Sequence, residues 1–71
     1  MNGYKKPNEI FDPWPNDKQY DMGLTDPDGF YDIRVIFAKD INEARRLSGF
    51  WLTDSGLRQQ GYKVKYVLPN R

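Results

Sequence analysis

From Phe30 to Ala38, "FYDIRVIFA", apolar and polar residues alternate, so that Tyr31, Ile33, Val35 and Phe37 fall on one side of an extended chain and Asp32 and Arg34 on the other. A period of two predicts a β-strand with one face in the core. A second alternating run, "YKVKYVLP" from Tyr62 to Pro69, sets Tyr62, Val64, Tyr66 and Leu68 against Lys63, Lys65 and Val67, and Pro69 ends it. On strict alternation the tyrosines of this run face the core and the lysines face water. A weaker extended stretch, Tyr20 to Thr25, precedes the first run, with Gly23 as its least strand-like residue. Between the two, "TDPDG" offers Pro27 and Gly29 for a tight turn, so a hairpin is expected.

The period changes in "DINEARRLSGFW". Asp40 followed by Glu43 has the spacing of a helix start, where side-chain oxygens satisfy amides that the first turn leaves free. Ile41, Ala44, Leu47 or Ser48, and Trp51 then recur at intervals of three and four, which makes one apolar stripe with Asn42, Arg45 and Arg46 off it. Gly49 is expected to end or bend this helix. "TDSGLRQQG" reads as a second short helical segment or a long loop, capped at Thr53 or Asp54 and stopped at Gly61. Strand, strand, helix, strand predicts a small two-layer ββαβ domain of the α+β class, with an antiparallel or mixed sheet and one main helix on one face. Residues 1–71 form a single domain, divided into an irregular aromatic and proline-rich segment, 1–19, and an α+β core, 20–71.

A chain of 71 residues buries only about 60% of its unfolded surface, so every large apolar side chain matters. The segment "EIFDPWPNDKQYDMG" spends Phe11 and Trp14 where neither helix nor strand is expected. Two roles fit them: covering an open end of the small core, or standing exposed as anchors for a partner. Covering the core is the reading preferred here.

Charge divides the chain. From Met1 to Asp32 there are seven acids against three lysines, a net −4; from Ile33 onward there are eight bases against three acids, a net +5. Such asymmetry suits an interaction surface of one sign, or two halves of the chain that pair with each other. Cysteine and histidine are both absent, which removes disulfides, thiolate zinc and the commonest general base. No run approaches the ~18 apolar residues of a membrane span, and the N-terminus lacks a signal-peptide core. A cytoplasmic, non-enzymatic protein without metal, cofactor, membrane or small-molecule substrate is therefore expected. "DPDGFYD" groups three carboxylates but lacks the ligand spacing of a calcium loop, and a turn accounts for it.

Tyr31 to Pro69 resembles, in pattern, a small bacteriophage protein family that binds and inhibits the host bacterial RNA polymerase. The shared features are "YDIRVIFA", the acid-capped "DINEARRL", the helix aromatic Trp51, and a last strand in which Gly61, Tyr62, Val64, Val67 and Pro69 match. Where that family carries arginines on its last strand this chain has Tyr66 and Leu68, with its bases at Lys63 and Lys65 instead. The resemblance implies a phage or mobile-element protein that acts in the host cytoplasm by occupying a host protein. The expected contact set is Arg34, Arg45, Arg46, Lys63 and Lys65, facing an acidic partner surface, with Phe11 and Trp14 as aromatic anchors. Nucleic-acid binding by "YKVKY" is the alternative, and a subunit of a larger assembly a third possibility.

Overall fold

In the computed structural model, which describes residues 4–70, a single 3₁₀ turn over Pro7–Glu9 leads into β1 (Lys18–Thr25), β2 (Tyr31–Ala38), α1 (Ile41–Asp54) and β3 (Lys63–Pro69). The strands form one antiparallel sheet in the order β2-β1-β3, with α1 packed on one face. This is the expected ββαβ two-layer α+β domain. β1, the weakest strand by sequence, is the central one and opens two residues earlier than expected, at Lys18. Among the described residues no helix is long and apolar enough to cross a membrane.

Local chemistry explains where the elements begin and end. In the β1–β2 turn the Asp26 carboxylate accepts the N–H groups of Asp28 and Phe30, each at 2.9 Å, and Gly29 takes φ +88°. Asp26 thus serves the turn, as a side chain that mimics a backbone acceptor allows. Asp40 caps α1 by accepting the Glu43 N–H at 2.8 Å, while the Glu43 carboxylate accepts the Lys39 N–H at 2.9 Å. The helix runs through Gly49 to Asp54 instead of ending there, and among the described residues no second helix follows. Burying Leu47 and Ser48 on one side of Gly49 and Leu52 on the other outweighs the ~1 kcal/mol that a helical glycine costs.

The core consists of Ile10, Tyr20, Met22, Leu24, Ile36, Ala38, Ala44, Leu47, Leu52 and Val67. Tyr20, Met22 and Leu24 give the helix-facing side of β1, and Ile36 pairs with Tyr20 across the β1–β2 ladder. Hence β2 buries its even-numbered face, through Ile36 and Ala38, and turns Tyr31, Ile33 and Val35 away from the helix. The more apolar of its two faces is not the core face. Strict alternation fails on β3 as well. The register slips between Gly23 and Leu24, so that Gly23 pairs with Tyr66 but Leu24 with Val64, leaving Lys65 as the extra residue of a β-bulge. Val64 and Val67 consequently face the helix, and Tyr66 and Leu68 face away with Lys63, which corrects the expectation that Tyr66 fills the core.

The N-terminal segment closes the helix side of the sheet. Ile10 is wholly buried, and the Phe11 ring meets Trp51 edge to face at 5.2 Å. Phe11 therefore covers the core, whereas Trp14 stays 36% exposed. Beneath it, the Lys5 ammonium donates to the Asp12 carbonyl at 2.7 Å, to the Phe37 carbonyl at 3.0 Å and to the Asp17 carboxylate, and lies 5.3 Å from the Trp14 ring centre. Both side chains of the Lys5–Asp17 pair are buried. The Asp17 carboxylate also accepts the Trp14 N–H, and the Phe37 N–H donates to the Ile10 carbonyl at 2.8 Å.

Two outcomes follow from this packing. Ile10→Ala should cost about 2–5 kcal/mol in urea unfolding, while Trp14→Ala should cost well below the ~3–5 kcal/mol of a fully buried tryptophan. Burial, aided by the nearby Asp40 carboxylate, raises the Tyr20 phenol above its ordinary pKa of 10.0. Because the unfolded chain releases that proton first, the contribution is intact below pH 10.0 and is lost as pH rises through the folded value. Urea midpoints measured against pH should show Tyr20→Phe declining less than the wild type on the alkaline side.

Candidate functional site

The face of the sheet that α1 leaves uncovered can be laid out from the register. One row across the three strands is Tyr31, Thr25 and Lys63; the next is Ile33, Gly23 and Tyr66; the third is Val35, Asp21 and Leu68. Tyr31, Ile33, Val35 and Leu68 are 61%, 57%, 42% and 53% exposed. An isolated exposed apolar side chain is ordinary, but neighbouring ones on one face make a candidate contact surface.

Gly23 shapes the centre of this face. The Tyr66 ring lies directly across it, so that a Cβ at that position would fall 2.4 Å from ring carbon Cε2. Only glycine leaves room for the ring to lie down on the sheet. Seated there, Tyr66 comes within 6.5 Å of the Tyr31 ring at a 48° tilt, and the Lys65 ammonium of the bulge stands 6.0 Å over the Tyr31 ring. Two aromatic rings and two lysines thus gather at one end of the face. At the other end Asp21 accepts a hydrogen bond from the Asn70 side chain amid Val35 and Leu68.

Of the residues singled out from the sequence, Lys63 and Lys65 belong to this surface. Arg34 projects from the helix side of β2 next to Asp32, with Nε 3.0 Å from the carboxylate. Arg45 and Arg46 are exposed on the helix layer, where Arg46 lies 3.9 Å from Glu43. The five bases therefore do not share one patch. Phe11 and Trp14 lie in the N-terminal segment, and Phe11 is engaged with Trp51. The sequence reading missed the uncovered set Tyr31, Ile33, Val35, Tyr66 and Leu68. Gly23 was the available signal, because a glycine inside a strand often marks a bulge or a close approach. Among the described residues no three acids converge to hold a metal ion.

A scan against protein-family models, a search of curated proteins and a search of solved structures each found no match.

If Gly23 seats Tyr66, Gly23→Ala should lift the ring off the sheet and abolish nuclear Overhauser contacts between the Tyr66 ring and β1. The stability cost should be about 1 kcal/mol, the low end for overpacking, because the ring can swing into solvent.

Proposed function

We propose that this is a small protein-binding protein, of the kind a phage or mobile element encodes to occupy a host protein, and that the open sheet face is its contact surface. The observation that carries this reading is the uncovered apolar set Tyr31, Ile33, Val35 and Leu68 around the seated Tyr66. Tyrosine is a typical interface anchor, and the aliphatic side chains around it offer apolar area that a protein partner can bury. Lys63 and Lys65 at the rim favour an acidic partner and speed encounter more than they add affinity. The pattern resemblance of Tyr31 to Pro69 makes the host transcription machinery the first candidate.

Single-stranded nucleic acid is the second reading. It is favoured by the β3 bulge, which sets Tyr66 on the same face as Lys63 and brings the Lys65 ammonium over Tyr31. The apolar third row and the Asp21 carboxylate weigh against it, since neither suits a phosphate backbone.

Capture from a bacterial lysate by the tagged protein, with a high-salt wash, separates these readings. A host protein should be retained by the wild type and by Arg45→Glu but lost with Leu68→Glu, whose exposed position spares the fold. Oligonucleotide binding that falls steeply with salt and vanishes in Lys63→Ala with Lys65→Ala would favour the second reading instead.

A further inference from the structure

β2 and β3 are both edge strands, yet they are guarded differently. β3 carries Lys63, Lys65, a bulge and a terminal Pro69, all of which discourage further pairing. β2 runs eight residues in uninterrupted register without lysine, proline or bulge. A regular edge of this kind, whose two charged residues Asp32 and Arg34 are opposite in sign and can complement those of a like strand, invites another strand.

The direction of its main-chain groups can be read from the ladder. Asp26 N–H donates to the Phe30 carbonyl where the hairpin opens, so even-numbered residues of β2 bond to β1 and odd-numbered ones point outward. At Phe37 the outward groups are taken, the N–H by the Ile10 carbonyl and the carbonyl by the Lys5 ammonium. At Tyr31, Ile33 and Val35 no strand lies beside them among the described residues. The protein thus seals one end of this edge with its N-terminal segment and leaves the other open.

We infer that the open edge pairs with β2 of a second copy of the chain, antiparallel about a two-fold axis at Ile33, which joins the two three-stranded sheets into one continuous sheet. In this register Tyr31 opposes Val35 and Ile33 opposes Ile33, so each pair of outward-pointing residues exchanges both of its hydrogen bonds. The intervening residues place Asp32 against Arg34 twice, once on each side of the axis. Both side chains are more than half exposed and already meet at 3.0 Å within one strand, so the pairing forms an alternating quartet of charges. Charge also fixes the register. A slip by two residues in either direction opposes Asp32 with Asp32, or Arg34 with Arg34. Pairing stops at Val35, because the groups of Phe37 are occupied. The contact is made along the sheet edge and does not depend on the face-on binding proposed above; it leaves that face open and extends it across both copies.

Sedimentation velocity on the full chain over a dilution series tests this. The wild type should shift from the mass of one chain towards that of two as concentration rises. Asp32→Arg and Arg34→Asp should each weaken self-association about tenfold, since each opposes like charges across the axis. An equimolar mixture of these two variants should recover a two-chain species, because the paired arginines of one variant then face the paired aspartates of the other. Recovery by mixing cannot arise from misfolding, and circular dichroism of each variant checks the fold directly. A wild type that stays at one-chain mass throughout, single variants that associate as strongly as the wild type, or a mixture that fails to recover would each overturn the inference.

Discussion

A buried lysine holds this domain together at the point where its chain is least regular. The Lys5 ammonium has three protons to donate and finds three acceptors, two main-chain carbonyls and the Asp17 carboxylate. An ammonium removed from water without such partners would be prohibitively costly, and removing one member of a buried pair typically destabilises by about 3–5 kcal/mol. What the arrangement achieves is a fixed path for the N-terminal segment. One carbonyl belongs to Phe37 on β2, so the lysine ties the segment to the sheet, and the reciprocal bond from Phe37 N–H to the Ile10 carbonyl aligns the two chains. Ile10 is thereby driven into the core and Phe11 onto Trp51. The same contact determines how much of the β2 edge stays free.

The second constraint is one of supply. A three-stranded sheet has two faces, and the described residues provide one α-helix, of fourteen residues, to cover them. That helix and the N-terminal segment cover one face except near Asp32 and Arg34 on β2, which stay exposed. The other carries the exposed Tyr31, Ile33, Val35 and Leu68, and it stays open. Gly23, the bulge at Lys65 and the flattened Tyr66 ring belong together on that face: the glycine admits the ring, and the bulge brings the ring's residue to the correct side. The proposed contact surface is placed on this face, where exposed apolar side chains gather, rather than on the scattered bases.

Much of the architecture could be read directly. The Asp40–Glu43 cap, the turn at Asp26 to Gly29, the two alternating runs and the ββαβ order all depend on neighbours within a few residues, and local hydrogen bonding rewards them wherever the chain goes. The candidate site was far less readable. In "YDIRVIFA" apolar residues occupy both parities, and counting them selects the side with Tyr31, Ile33 and Val35, which is the side the helix does not cover. In "YKVKY" nothing marks the extra residue. The slip becomes visible only when Gly23 is placed opposite Tyr66.

Local patterns were thus enough for the elements, their order and their caps, because each follows from interactions that span a turn or a period. Long-range packing was needed to settle which side of each strand is inside, what Lys5 and Ile10 do in a segment that looks like loop, and which apolar residues are left uncovered. Those outcomes depend on a single choice made at a distance, the face of the sheet on which α1 and the N-terminal segment settle, and no short stretch of residues records it.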